Sequence, residues 1–184
     1  MSSAKLDEPL VLRVGEAGPR GAAIESLAYP ELVIGELNGP VGNAIAMLTG
    51  DQVQGHTRAL ALLDTGIAVR PVTLMVSKAT ITNRVYAELI FGPVQFGVAN
   101  GVLDAVRAGL IPKPRVNSLG IVVSVWLDPN VIKSDSLDQR ALFEANRRET
   151  LRALEKALTQ EPNIDWLLDN QSRIVHEFYR AEAR

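Results

Sequence analysis

FGPVQFGVANGVLDAVRAGLIP, residues Phe91–Pro112, is the stretch that decides the fold. Gly92-Pro93 opens a helix, because proline suits the first helical position. Val94, Gly97, Val98, Gly101, Val102, Ala105 and Val106 then recur on one face of a helical period. Gly109 closes the helix and Pro112 prevents its continuation. Gly97 and Gly101 each give up ~0.8–1 kcal/mol of helix propensity. They therefore predict a very close neighbour on that face, and tight packing on a sheet is the expected cause.

The strands for that sheet lie on both sides of the helix. Leu10–Val14, Tyr29–Ile34, Thr57–Leu63, Val72–Val76 and the Val/Ile-rich Ser118–Trp126 all read as strands. A polar, Gly-rich turn is expected through Gly15–Gly21, and another turn at Asp64–Gly66. Pro30 has no amide hydrogen, so its strand should lie at a sheet edge or begin there. Further helices are predicted from Pro40 to about Gly50, over Thr82–Phe91, and over Asp138–Leu158 with Leu142, Ala145, Leu151, Leu154 and Leu158 as its core side. An amphipathic helix, about Asp165–Arg184, follows the break at Pro162. Strands and helices interleave without strict βαβ order, which predicts an α/β (α+β) two-layer sandwich.

Composition limits the function classes. The chain has 184 residues, enough for one domain, 1–184, that buries most of what its unfolded form exposes. Its 19 Lys and Arg against 21 Asp and Glu leave a net charge of -2, which argues against a nucleic-acid binder and its basic face. Cysteine is absent, so disulfides and thiolate chemistry are excluded. The N-terminus lacks the apolar core of a secretory signal. The longest apolar stretch, Leu119–Leu127, is far shorter than the ~20 residues that span a bilayer. A cytoplasmic protein with no membrane partner is expected.

Generic catalytic patterns are missing. The two histidines, His56 and His176, sit in different elements without metal-ligand spacing. His56, in a Gly-His-Thr loop, reads as a solvated loop residue, and His176 reads as a surface residue. No Walker loop, dinucleotide fingerprint or nucleophile elbow occurs. Polar residues within apolar strands are more informative. Leu74, Val76, Lys78 and Thr80 share one face if their strand stays extended. Lysine is rarely buried without a partner, so either Lys78 lies at the strand end with its amine in water, or it serves a site. Gln95, in the first turn of the Gly-Pro helix, is either solvated or near ligand groups drawn to free amides. Tyr29 and Glu31 share a strand face, as an exposed edge pair or as site residues.

Taken together, RPVTLMVSKATI at Arg70–Ile81, the Phe91–Pro112 string, VGEA at Val14–Ala17 and ELVIG at Glu31–Gly35 resemble the formaldehyde-activating enzyme family. The resemblance runs over about Leu10–Leu158, with residues 163–184 an extra C-terminal helix outside it. It implies a ribosomal protein S5 domain 2-like fold, and a cytosolic homopentamer that binds pterin between neighbouring subunits. The implied reaction condenses formaldehyde with tetrahydromethanopterin, or a related reduced pterin, to the methylene derivative and water, without a metal. The pterin is a co-substrate. Glu31, Leu60, Lys78, Thr80 and Gln95 match the family's pterin-contact positions.

The chemistry implied is modest. A pterin amine attacks formaldehyde, and the resulting carbinolamine loses its hydroxyl with the help of a proton. Holding two reactants together lowers the barrier by several kcal/mol, and a positioned acid adds typically 10²–10⁴-fold. The family carries a His-x-Asp pair on the early strand, with the histidine as proton donor. Here Tyr29-Pro30-Glu31 stands in its place, making Tyr29 the candidate catalytic residue. Histidine, with a reference pKa of ~6.5, donates more readily near neutrality than tyrosine at ~10. Phe96 follows Gln95 where family members can carry a polar side chain. The expected function is thus a carbon–nitrogen lyase, slow if Tyr29 is a poor acid. The alternatives are a non-catalytic paralogue binding a pterin or formaldehyde adduct as carrier or sensor, or a structural partner docking through the terminal helix.

Overall fold

The computed structural model describes residues 9–18, 28–51, 53–134 and 137–176. Its centre is a five-stranded mixed sheet in the order β1-β2-β7-β6-β3. These strands are β1 (Arg13–Glu16), β2 (Tyr29–Glu36), β3 (Arg58–Leu60), β6 (Val72–Ser77) and β7 (Leu119–Trp126). β6 and β7 run parallel; the other pairs are antiparallel. A small hairpin of β4 (Leu62–Asp64) and β5 (Ile67–Ala68) stands beside it. The expected strand Thr57–Leu63 is therefore two strands, broken at the buried Ala61. The first strand begins three residues later than the sequence suggests. Leu10 instead ties to Glu36, each backbone N–H donating to an oxygen of the other residue. β2 is an interior strand, and Pro30 is tolerated because it is the second residue of that strand, where pairing begins.

The strand registers sort every residue onto one of two faces. Leu32, Ile34, Ile121, Val123, Val125, Thr73, Met75 and Ser77 point to one face, and all are buried. Two helices cover it, α3 (Gln95–Arg107) and α4 (Gln139–Thr159). On the opposite face, α1 (Pro40–Gly50) covers only the end at Gly35 and Gly120, where Val41 and Ile45 come close. The result is an α+β two-layer sandwich whose second sheet face is, among the described residues, left open at the Tyr29–Trp126 end.

α2 (Arg84–Leu89) is started by Asn83, whose side chain accepts from the Tyr86 N–H at 2.9 Å. It runs into a widened turn at Ile90–Val94 with a kink at Gly92, and α3 follows directly. The run Arg84–Arg107 is long and apolar enough to cross a bilayer by length and composition, yet 56% of that apolar window is buried inside the fold, as a core helix requires. The buried Tyr86 phenol donates to the Leu127 carbonyl at 2.6 Å. Burial, with the Asp128 charge adding to it, pushes this phenol up to about 12, so it stays a donor.

The close neighbour of Gly97 and Gly101 is α4, not the sheet. A Cβ on Gly97 would lie 2.6 Å from the Phe143 carbonyl oxygen, and one on Gly101 would lie 2.6 Å from that of Arg147. The same seam carries an ion pair. Arg147 Nε and Nη2 donate to Asp104 at 2.5 and 3.1 Å, and Arg107 pairs with the same carboxylate. The Arg147 hydrogen bonds, aided by the arginine charges, hold the Asp104 carboxyl below its usual range. A depressed folded pKa gives stability that is present above the unfolded value and is lost as pH falls through the folded one. Asp104→Asn is thus expected to lose about 1–2 kcal/mol near neutrality. That is the low side of the range for charged hydrogen bonds, because Arg147 is 35% exposed and partly screened. Urea unfolding should show the gap between native and variant closing below about pH 4, the unfolded carboxyl's reference value; a gap that stays constant into acid would disprove the linkage.

The predicted terminal helix is short. α5 (Ile164–Asn170) is followed by a single 3-10 turn at Gln171–Arg173, and the expected part beyond 176 lies outside the described residues, as does the Gly-rich turn from 19 onward.

Candidate functional site

The open end of the sheet gathers residues from three separate segments. Tyr29 and Glu31 project from β2 on the face shared with Ser124 and Trp126 of β7. The Tyr29 and Trp126 rings are tilted by 57° with centroids 6.1 Å apart. Lys78 lies one residue beyond β6; its N–H donates to the Val125 carbonyl at 2.8 Å, and its amine forms an ion pair with Glu31. With side chains 36% and 60% exposed, this pair adds only ~0–1 kcal/mol of stability. A ligand can therefore exchange into it at little cost. Of the two readings left open by the sequence, the structure bears on one: Lys78 lies at the strand end, with its amine partly exposed and paired to Glu31.

Thr80 follows on the same segment, exposed, with its hydroxyl 3.0 Å from His56 Nε2. The imidazole is half-buried, and its Nδ1 lies 3.1 Å from the Ser77 carbonyl oxygen. His56 is therefore not the solvated loop residue expected. Sequence pattern could not find it, because a loop has no periodicity, and only the pairing of β3 with β6 brings residue 56 beside residue 80.

Gln95 and Leu60 form a second group. Gln95 is not solvated: it is 8% exposed, and its amide donates to the Leu60 carbonyl at 3.2 Å. It lines a cleft of about 740 Å³ with Leu62, Asp64, Phe91, Phe96 and Phe143. Phe96 is stacked on Phe143 with centroids 5.1 Å apart, so the residue after Gln95 presents an aromatic surface to the cleft. Leu60 pairs with Leu74 in β6, and the four residue steps from Leu74 to Lys78 cover ~13 Å of extended chain. Within one chain, the sequence-predicted residues thus fall into two patches: Tyr29, Glu31, Lys78 and Thr80 at the open sheet end, and Gln95 lining the cleft with the Leu60 carbonyl against its amide.

Chemically, the first patch offers a carboxylate, an ammonium, a phenol and a hydroxyl on a half-open aromatic floor. That set can bind a polar heterocycle and move one proton. The second offers an amide beside aromatic rings, suited to a flat ring with hydrogen-bonding edges.

The family model described as "Formaldehyde-activating enzyme (Fae)" matches residues 14–179. The match extends past Leu158, where the motif resemblance stops. A "Bifunctional enzyme Fae/Hps" of Methanothrix thermoacetophila is 39% identical over 150 residues, 82% of this chain and 37% of that protein. The proteins of the same name from Methanosphaera stadtmanae and Archaeoglobus fulgidus are 33% and 34% identical, over 94% and 90% of this chain and 41% and 40% of their own lengths. The chain thus spans about two fifths of the length of these curated relatives.

Proposed function

The chain belongs to the formaldehyde-activating enzyme family, and from that premise we propose that it is a carbon–nitrogen lyase condensing formaldehyde with tetrahydromethanopterin or a related reduced pterin. The observation that carries the proposal is the Glu31–Lys78 pair beside Tyr29. Residues far apart in the chain meet there at positions that match the family's pterin contacts, and their pairing is too exposed to serve stability. Lys78 and Glu31 bind polar edges of the pterin, and Thr80 offers a third contact. Tyr29, on the same face, donates the proton that lets the carbinolamine hydroxyl leave as water. Gln95 and the Leu60 carbonyl serve the pterin from the cleft.

A site split between two patches of one chain suits a pterin held between copies, which supports a homo-oligomer with shared sites; five copies is the number the family resemblance implies. A cytoplasmic address goes with the family. Tyr29 and the stacked Phe96 favour a second reading, a paralogue that binds the pterin without turning it over.

Following methylene-pterin formation against the spontaneous background tests the proposal. The native protein is expected to exceed background. Lys78→Met is expected to weaken the pterin roughly 10- to 100-fold in KM, the worth of a hydrogen bond to a charged group. Tight binding by calorimetry without acceleration would favour the paralogue, and no pterin binding at all would defeat both.

A further inference from the structure

His56 is held more firmly than a loop residue needs to be. Its backbone N–H donates to the Val53 carbonyl at 3.0 Å, closing a tight turn. Gly55, in that turn, has φ +76, and its carbonyl accepts from the Ile81 N–H at 2.7 Å. A Cβ on Gly55 would lie 2.6 Å from the Thr80 methyl group, so glycine is what allows the loop to seat against residues 80–81. The turn is thereby strapped to the segment carrying Lys78 and Thr80, and the imidazole is aimed between Ser77 and Thr80.

Counting protons fixes the direction of these bonds. The Ser77 carbonyl can only accept, so Nδ1 carries the proton and donates to it. In the neutral ring, Nε2 is then a lone pair, and it accepts from the nearest donor, the Thr80 hydroxyl. Thr80 has one hydroxyl proton, now committed to His56. Toward any other partner, its oxygen can therefore only accept.

We infer that His56 is a positioning residue that commits the Thr80 hydroxyl to accept, so that the site selects at this point a ligand N–H over a group offering only oxygen acceptors. This rests on the proposed pterin site, since it names which edge of the pterin meets Thr80: a ring or amino N–H, not a carbonyl or carboxylate. Most contacts across a polar site tolerate a hydroxyl turning either way. Here the fold removes that freedom before the ligand arrives, which lowers the cost of ordering the contact.

The test joins a spectroscopic readout with a binding one, both on the full chain. Nitrogen-15 NMR should show a protonated Nδ1 and an unprotonated Nε2 for His56, assigned against His176 by the loss of signal in His56→Gln. Thr80→Val should move the Nε2 resonance, and Thr80→Ser should leave it in place. Calorimetry with tetrahydromethanopterin should show His56→Leu and Thr80→Val each weakening binding about three- to tenfold, with the double variant no weaker than either single. His56→Gln, whose amide can donate to Ser77 and accept from Thr80, should recover part of the loss. A protonated Nε2, unchanged binding in His56→Leu, or losses that simply add would overturn the inference. If the native protein binds no reduced pterin, the proposed function fails instead, and the tautomer and Thr80 spectra still decide whether His56 directs the hydroxyl.

Discussion

Tyr29→His is expected to raise the rate of methylene-pterin formation about 10²-fold, the largest functional effect any single change here should have. A positioned general acid contributes typically 10²–10⁴-fold, and works best when its pKa lies near the operating pH. An imidazole with a reference value of ~6.5 meets that condition, whereas a phenol at ~10 does not. The position is suited to the exchange. Residue 29 starts β2 on the open sheet face beside Trp126, two residues from Glu31 and its Lys78 partner. The expected gain sits at the low end of the range because Glu31 is engaged by Lys78, which leaves less negative charge to stabilise a protonated imidazole. Tyr29→His with Glu31→Asp, restoring the family's pair, should gain more. The pH profile identifies the cause: a histidine acid loses activity as pH rises through its pKa, so the variant should acquire a fall near pH 6.5 that the native protein lacks. An unchanged rate would remove residue 29 from the chemistry. A faster rate with an unchanged profile would reduce its role to steric clearance.

Gly101→Val should produce the largest loss of stability, about 3 kcal/mol or more. The intrinsic propensity works weakly the other way, since glycine is a poorer helix former than valine by roughly 0.3 kcal/mol. Packing decides the sign. At Gly101 a Cβ would meet the Arg147 carbonyl oxygen at 2.6 Å and the Thr150 Cβ at 2.8 Å. The first is helix backbone, so α4 as a whole must move away. That movement would loosen Val98, Val102, Ala153 and Leu154, all fully buried. Overpacking a core costs ~1–3 kcal/mol and sometimes more, a large share of the ~5–15 kcal/mol that holds a domain folded. Even Gly101→Ala should destabilise despite its better propensity. Urea unfolding measures both, and an alanine variant as stable as the native protein would show that α4 yields easily.

The outline of the fold was legible because its signals are local. The apolar face of Val94–Val106, the stop at Gly109 and Pro112, and the Val and Ile richness of Ser118–Trp126 depend on neighbours only a few residues away. Errors fell where one residue ends an element. Ala61 splits the strand expected over Thr57–Leu63, and Leu10 leaves the first strand to pair with Glu36. The sequence proposed residues for the site but could not say how they group. Motif resemblance reached Glu31, Leu60, Lys78, Thr80 and Gln95. Nothing along the chain tells that Gln95 is buried against Leu60 at one cleft while Lys78 pairs with Glu31 at another place on the same molecule.

The Phe91–Pro112 stretch illustrates the same division. By itself the sequence determined that this segment is a helix, where it stops, and that Gly97 and Gly101 must face something very near. Helix periodicity and propensity are properties of the local backbone, written in consecutive residues. Only the tertiary structure decided that the neighbour is α4 rather than the sheet, and that His56 stands against Thr80. Those are meetings between segments separated in the chain, and they are selected by the burial of the whole core and the register of its strands, which no local pattern encodes.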